Sequence, residues 1–247
     1  PYTTLFRSPA TVYTLPAAGC FNLHFSLLPR WRGASPIESA LLAGDRTSGL
    51  TLQRITAELD AGDILLAREI PVPEEWHYPE LFAALFAAGK PLLEEGLALV
   101  ARGDCTLTPQ EPSRITHCGK ITAAARVINW DRPRAEVLGL IRAFSGHRTA
   151  LTRLHGMSLC IHRAALPPAT ATAAPGTVLA CDKTGFLVAC QDGPLAILEL
   201  QKENRKKMDA RSFLNGNPVT PGDRFTAAAP ETPVYPTPSP NKECSLS

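Results

Sequence analysis

The chain has 247 residues, 45% hydrophobic and 19% charged, which is enough for a buried core and one or two domains. No apolar run approaches the ~20 residues that span a bilayer, and no signal peptide opens the sequence, so a membrane protein is disfavoured. Seven cysteines without a C-x-x-C pair disfavour a disulfide scaffold or a metal site and favour the cytosol.

The net charge of +2 conceals two segments of opposite sign. Residues 9–115 carry eight Lys and Arg against thirteen Asp and Glu, whereas residues 116–226 carry fifteen against eight, which gives net charges of −5 and +7. A basic second segment indicates a polyanionic partner. Solvated basic side chains on a small domain account for the same charge equally well.

Neither terminal segment is predicted to belong to the packed fold. Residues 1–8 resemble the translation of a common sequencing adapter, and we expect them to be non-native. Residues 227–247 contain five prolines and few large apolar side chains, which predicts a disordered tail.

The first half alternates strands and helices, which predicts an α/β layer. Ser35, Pro36 and Glu38 form the pattern of a capped helix start, and Gly89 and Pro91 predict a break in the second helix. The predicted elements are a strand at 21–24, a helix from 36 to about 44, strands at 49–55 and 64–72, and a helix from 78 to about 102.

The second half changes to short strands after one helix. In residues 104–124 the apolar residues show no helical or strand periodicity, and this segment is predicted to be a linker. An amphipathic helix is predicted to start near Asp131. Strands are predicted at 150–154, 157–163, 176–181, 185–190 and 195–201. Five short strands at this spacing indicate a small β-barrel or sandwich over residues 125–226.

The chemistry lies in the segment that starts with Asn22 and His24. In a strand these two side chains share a face, where an amide and an imidazole can hold one developing oxyanion. Asp60, in a turn before the next strand, can lie beside His24 and fix its tautomer. Without an evident Ser or Cys nucleophile, this set favours direct acyl or one-carbon transfer. Taken singly, each residue is more often structural.

The run from Asn22 to Ile37, with the pattern N-x-H-x-S-L-L-P-R-W-R-G-A-x-P-I, resembles the signature of the 10-formyltetrahydrofolate-dependent formyltransferases. The R-W-R-G form is most similar to members that formylate methionine on initiator tRNA. Further matches are Gly44-Asp45, Thr47-x-Gly49-x-Thr51, Leu59-Asp60-x-Gly62-Asp63, Lys120-Ile121, Asn129-Trp130, Ile141-Arg142-Ala143-Phe144, Pro175-Gly176-Thr177-Val178, Phe213-Leu214-x-Gly216 and Pro221-Gly222-Asp223-Arg224-Phe225. The resemblance covers residues 15–225.

The resemblance implies the fold and the reaction. It implies the C-terminal part of a Rossmann-like formyltransferase domain at 9–103, followed by an OB-like β-barrel that holds tRNA. The methionine amine would attack the formyl carbon of 10-formyltetrahydrofolate, a cosubstrate. Asn22 and His24 would hold the oxyanion, and Asp60 would orient His24 and assist proton transfer.

The resemblance also implies two binding surfaces. Ser26, Leu27, Leu28 and Pro29 would form the wall beside the folate, with a cis bond allowed before the proline. The predicted tRNA contacts are Arg30, Trp31, Arg32, Lys202, Arg205, Lys206 and Lys207. The alternative for residues 30–32 is that Trp31 packs the loop and the arginines are solvated. The alternative for residues 202–207 is a solvated hairpin without a nucleic-acid role. We expect a cytosolic monomer without a metal.

The chain departs from the family pattern in its first part. The doubly wound half that precedes the N-x-H strand in the family is absent, so a fragment with an exposed sheet edge and apolar face is expected. The segment after Phe144 lacks the usual Pro-Gly-Ala turn. Two alternatives remain: a formyltransferase or hydrolase acting on a substrate other than tRNA, and an inactive tRNA-binding fragment.

Overall fold

The computed structural model describes residues 9–168, 173–182 and 185–228. Within them a first unit, built on a small sheet and one long helix, is followed by a second unit built on a curled sheet. Residues 1–8 and 229–247, which contain the predicted adapter-derived segment and most of the predicted tail, lie outside the described residues.

The first unit confirms the predicted alternation of strands and helices. Its elements are α1 (Ala10–Tyr13), β1 (Phe21–His24), β2 (Arg32–Gly33), α2 (Pro36–Leu42), β3 (Thr47–Arg54), β4 (Ile64–Pro71), α3 (Tyr78–Arg102) and β5 (His117–Cys118), with a 3₁₀ turn at Pro112–Arg114. β3 lies between β1 and β4 and pairs antiparallel with both, and β2 pairs parallel with β5. Leu50, Leu81 and Leu85 form the centre of its core.

The predicted capping box at the start of α2 is wrong. The Ser35 hydroxyl donates to the Gly119 carbonyl and makes no cap hydrogen bond. The Glu38 carboxylate lies 3.1 Å from Nε2 of His147 in the second unit. Tertiary partners therefore take both side chains away from the helix terminus.

The predicted break in α3 is also wrong, because the helix runs through Gly89 and Pro91 without interruption. A proline inside a helix costs ~3 kcal/mol. A Cβ added at Gly89 would come within 3.2 Å of Leu23, and one at Gly96 within 2.2 Å of Leu52. The helix thus packs very closely on the sheet, and this burial offsets the cost of the proline.

The second unit contains the predicted helix and all five predicted strands. Its elements are α4 (Arg134–Phe144), β6 (Ala150–Leu154), β7 (Met157–Ala165), β8 (Val178–Asp182), β9 (Gly185–Cys190), β10 (Gly193–Lys202), β11 (Met208–Asp209), α5 (Ala210–Gly216) and β12 (Phe225–Ala227), after a 3₁₀ turn at Ala124–Arg126. The strand order is β12-β6-β7-β10-β9-β8, with β11 paired to β10. The sequence does not predict β11, β12 or α5.

The two outer strands of this sheet approach each other. The Val178 N–H donates to the Asp223 carbonyl and the Phe225 N–H donates to the Gly176 carbonyl, both at 2.8 Å. Inside the curl, Phe186 packs against Phe213 and Phe225. The sheet therefore wraps around its own apolar core.

Polar contacts join the two units. Arg142 of α4 is buried and donates to the carbonyls of Pro73 and Trp76 at 2.9 and 2.6 Å. Arg163 of β7 forms an ion pair with Glu80 at the start of α3, at 2.8 Å. Basic side chains of the second unit thus bind acceptors of the first.

Candidate active site

β1 places Asn22 and His24 on one face of the first sheet, as the alternation of a strand requires. Their partners across β3 are Gln53 and Thr51, so four polar side chains share this face. His24 is only 6% exposed, and its Nδ1 lies 3.6 Å from Oδ1 of Asp60. The structure therefore brings His24 and Asp60 together from distant positions in the sequence.

The Asp60 carboxylate is held by groups other than the imidazole. It accepts hydrogen bonds from Nε2 of Gln53 and from the Gly33 N–H, both at 2.9 Å. The turn depends on Gly62, where a Cβ would lie 1.7 Å from the Arg54 carbonyl oxygen. These contacts position the carboxylate beside His24.

The second ring nitrogen of His24 binds the backbone. Nε2 lies 2.9 Å from the carbonyl oxygen of Trp31, which has a positive φ of 60°. A carbonyl oxygen only accepts, so Nε2 carries the hydrogen and Nδ1 faces Asp60. Nothing in the sequence pattern points to this carbonyl.

Gln110, within the predicted linker, is a site residue that sequence reasoning missed. Its Nε2 donates to the carbonyls of Asp60 and Gly62 at 2.9 and 2.8 Å, and its Oε1 accepts from Nε of Arg32 at 3.0 Å. Gln53, also missed, lies on the polar face of β3, and its alternation with Thr51 was a usable signal. No comparable pattern surrounds Gln110.

Arg32 is 5% exposed, and its guanidinium contacts Gln110 and, at 3.2 Å, Oε1 of Glu58. A side chain enclosed in this way has little surface to offer a nucleic acid. Its burial favours a supporting role behind Asp60 over the tRNA contact that the sequence predicts.

Cys118 is the buried thiol of this region. Its Sγ lies 3.4 Å from the carbonyl oxygens of Trp31 and Arg32. Burial raises the pKa of the Cys118 thiol, so the sulfur stays protonated and supplies no thiolate nucleophile. In the described part of the chain, no group of three or more His, Cys, Asp or Glu side chains is arranged to hold a metal.

The segment that the resemblance assigns to the folate wall is a tightly held turn after β1. Ser26, Leu28 and Pro29 are buried and Leu27 is half-buried. The Leu28 N–H donates to Oγ1 of Thr51 at 3.0 Å, and the bond before Pro29 is cis, as the sequence allows.

Asp45 binds both Arg30 and Trp31, the two residues that follow the turn at residues 26–29. Its carboxylate accepts from Nε and Nη2 of Arg30 at 2.9 and 2.6 Å and from Nε1 of Trp31 at 2.8 Å. The hydrogen bond to Asp45 raises the pKa of Arg30. The Arg30 guanidinium lies 4.4 Å from the centroid of the Trp31 ring. The two predicted tRNA contacts at this tip therefore form one unit with Asp45.

The remaining predicted tRNA contacts lie at the end of β10 (Lys202) and in the turn that leads to β11. Arg205, Lys206 and Lys207 are exposed. Nζ of Lys207 lies 2.9 Å from Glu199, and Nζ of Lys202 lies 5.8 Å from the Phe213 ring centroid. This basic hairpin belongs to the second unit.

Each of the two units matches a different protein-family model. Residues 7–93 match the formyl transferase family model, and residues 120–218 match the model of the formyl transferase C-terminal domain. In the described residues, no helix combines the length and the apolar character needed to cross a membrane.

Two curated relatives are named methionyl-tRNA formyltransferase. The protein of Ralstonia nicotianae is 40% identical over 223 residues, which is 90% of this chain and 68% of the relative. The protein of Methylobacillus flagellatus is 39% identical over 88% of this chain and 70% of its own. The chain thus spans about two thirds of the length of these relatives.

Solved structures share the fold at lower identity. HypX from Aquifex aeolicus in complex with tetrahydrofolic acid has a TM-score of 0.63 and 22% identity, over 78% of this chain and 34% of HypX. WlaRD, a sugar 3N-formyl transferase solved with dTDP and 5-N-formyl-THF, has a TM-score of 0.61 and 20% identity, over 75% and 66% of the two chains.

Proposed function

The chain belongs to the formyl transferase family, and from this premise we propose that it transfers the formyl group of 10-formyltetrahydrofolate to the methionine amine of methionyl-initiator tRNA. The observation that carries the reaction is the position of Nδ1 of His24, 3.6 Å from Asp60, on the strand that bears Asn22. The identity of the acceptor rests on relatives that are about 40% identical.

The proposed reaction is a direct transfer. The amine nitrogen attacks the formyl carbon, the carbonyl oxygen becomes an oxyanion, and the bond from that carbon to N10 of the folate then breaks. The Asn22 amide donates to the oxyanion, and His24 does so once its Nδ1 has taken the proton that the amine loses; such a donor is worth ~10²–10³ in rate. One amine proton leaves and N10 gains one, a transfer for which the His24–Asp60 pair is placed. The protonated thiol of Cys118 is consistent with a route that needs no covalent enzyme intermediate.

We assign the folate to the turn formed by Ser26, Leu27, Leu28 and Pro29. Its buried apolar members and its hydrogen bond to Thr51 make it a stiff wall at the end of β1. A preformed wall of this kind orients a flat ring without an ordering cost at the moment of binding.

We assign tRNA binding mainly to the second unit. Its net positive charge and its curled sheet support the proposal of an OB-like barrel, a fold that binds oligonucleotides. Lys202, Arg205, Lys206 and Lys207 are proposed to contact phosphates, which are read by charge and not by sequence. Arg30 and Trp31 are proposed to meet the acceptor end near the site. We propose that the chain acts as a cytosolic monomer.

The function is tested by an acceptor comparison. The chain is incubated with labelled 10-formyltetrahydrofolate and, in separate reactions, with methionyl-initiator tRNA, an amino-sugar nucleotide, or water alone. We expect label in N-formylmethionine on the tRNA. Transfer to the sugar amine or release of formate, without product on tRNA, would replace this proposal with the corresponding alternative.

A binding measurement separates the enzyme from a module that only binds RNA. We expect tRNA affinity to fall with salt, and the double variant Arg205→Gln, Lys206→Gln to lower the slope of log K against log[salt] by about 2, since each lost phosphate contact removes ~0.9. Arg153→Gln, which removes a cation outside the hairpin, serves as the control. Salt-dependent binding of the unchanged chain without any formyl transfer would support the binding module.

A further inference from the structure

We propose that Asp45 is a positioning residue for His24 and that it acts through the backbone of Trp31. The inference rests on the function proposed above, because it concerns the imidazole of the same site. Asp45 does not touch His24. The connection runs from the Asp45 carboxylate to the Trp31 indole, and from the Trp31 carbonyl to the His24 ring.

Asp45 is itself well anchored. It follows α2, its N–H donates to the Ala40 carbonyl at 2.9 Å, and its side chain is 15% exposed. One carboxylate oxygen accepts from both Nε of Arg30 and Nε1 of Trp31, and the other accepts from Nη2 of Arg30. The Asp45 carboxylate thus accepts three charge-assisted hydrogen bonds. Together they fix the side chains of both Arg30 and Trp31.

The turn needs such support because Trp31 has a φ of 60°. A bulky residue in the left-handed region costs roughly 1–3 kcal/mol and persists only where its surroundings hold it. The Trp31 N–H donates to Oγ1 of Thr116 at 2.9 Å, and the indole N–H donates to Asp45 at 2.8 Å. These two contacts hold the peptide so that its carbonyl oxygen faces Nε2 of His24.

The consequence for the chemistry is the tautomer. The Trp31 carbonyl requires a hydrogen on Nε2, which leaves Nδ1 toward Asp60 and the reacting groups. Asp60 has separate anchors in Gln53 and Gly33, so losing Asp45 leaves the carboxylate in place. If the turn relaxes, the carbonyl leaves Nε2, and the ring is free to exchange tautomers or rotate.

The test compares Asp45→Ala with Asp45→Asn. The alanine variant loses all three acceptors, whereas asparagine keeps an oxygen for the indole N–H. Glu74→Gln is the matched control, because it breaks the exposed ion pair of the adjacent Arg46 without touching the turn. The His24 ring is followed by ¹⁵N side-chain NMR at about pH 8.5, well above the ~6.5 of an ordinary histidine. Its signals are assigned by their loss in His24→Gln.

We expect the unchanged chain, Asp45→Asn and Glu74→Gln to show the Nε2–H tautomer, and Asp45→Ala to show a mixture. In the formyl-transfer assay, kcat of Asp45→Ala should fall by about 10²-fold, as for a reacting group displaced by ~1 Å, with KM for the folate nearly unchanged. Asp45→Asn should retain most of the activity.

The NMR and activity measurements distinguish a failure of this inference from a failure of the proposed function. A single Nε2–H tautomer in Asp45→Ala overturns the inference, whatever the activity. A tautomer mixture in a chain without formyl transfer supports the link from Asp45 to His24 and refutes the function. Should Asp45→Ala fail to fold, Arg30→Ala with Trp31→Phe removes the same donors, and an unchanged tautomer there overturns the inference.

Discussion

The two nitrogens of the His24 ring have different partners. Nε2 is fixed by a backbone carbonyl, and Nδ1 faces a carboxylate that the protein holds by other means. An imidazole whose Nε2 hydrogen is bound in this way can accept a proton at Nδ1 and then donate it from there without losing its orientation. The site therefore combines a rigid ring with one nitrogen available to the reacting groups.

We predict that His24→Ala and Asn22→Ala each lower turnover by ~10²–10³, the usual effect of removing one oxyanion donor. Binding of 10-formyltetrahydrofolate should change little, because the proposed folate wall starts at Ser26. Steady-state formyl transfer and folate titration measure the two quantities. His117→Ala, an exposed histidine on β5, is the control. Near-normal turnover in either site variant would remove that residue from the mechanism.

At the scale of elements, α3 shows how close packing opposes helix propensity. Ala is better than Gly inside a helix by about 1 kcal/mol. At Gly96, however, an added Cβ would lie 2.2 Å from Cδ2 of Leu52, a buried side chain of β3. Overpacking of this kind costs roughly 1–3 kcal/mol. We therefore predict that Gly96→Ala destabilises the chain, by roughly 1–2 kcal/mol.

The matched control is Gly216→Ala at the end of α5, where nothing lies within 4 Å of the added Cβ. This variant should keep or slightly raise the stability. Urea denaturation gives both free energies of unfolding. Equal stabilisation by the two substitutions would show that α3 does not pack as closely on β3 as the structure indicates.

The elements that the sequence predicts are those whose signal is local. The alternation of apolar and polar residues in β1 and β3 is visible in the linear sequence, although β3 is buried on both faces. The break predicted at Gly89 and Pro91 fails because the sequence does not show how closely the helix lies on the sheet. β2 and β5 have two residues each, too few for any period.

The same limit applies to the site. Asn22 and His24 are visible from alternation, and Asp60 from its turn together with the family resemblance. Gln110 acquires its role only because the chain returns past Asp60 fifty residues later. The Trp31 carbonyl is a backbone group, and its direction follows from tertiary contacts that no side-chain pattern encodes.

At the scale of the whole molecule, the acidic first unit and basic second unit meet through polar contacts. Arg142 and Arg163 of the second unit bind two carbonyls and Glu80 of the first. His77 lies at this junction, where its N–H donates to Glu80 at 3.0 Å. At the junction, the charged side chains of Arg142, Arg163 and Glu80 thus all have partners in the other unit.

His77 makes the stability of this junction dependent on pH. The residue is 3% exposed, its Nδ1 lies 3.0 Å from the Glu75 carbonyl, and its buried Nε2 has no hydrogen-bond partner among the described residues. Protonation would place a hydrogen on Nε2 without an acceptor. Burial therefore lowers the pKa of His77; Arg163 and Arg142 act in the same direction, whereas the Glu75 carbonyl and Glu80 oppose them.

The sign of the effect follows from proton binding. Below the ~6.5 of an unfolded histidine, the unfolded chain takes up a proton that the folded chain does not. The free energy of unfolding should therefore fall as the pH drops from about 7.5 to about 5, by up to ~1.4 kcal/mol per pH unit for each such group. Burial also lowers the pKa of His162 in the second unit, so two histidines contribute.

We predict that His77→Gln makes this pH dependence shallower without abolishing it, because His162 still contributes. Urea denaturation between about pH 5 and 7.5 measures the slope above the range in which carboxylates (~4) titrate. His117→Gln, at an exposed position, should leave the slope unchanged. A slope that is the same in His77→Gln and in the unchanged chain would mean that this imidazole is hydrated or protonated in the folded state. The junction between the two units would then be looser than its contacts indicate.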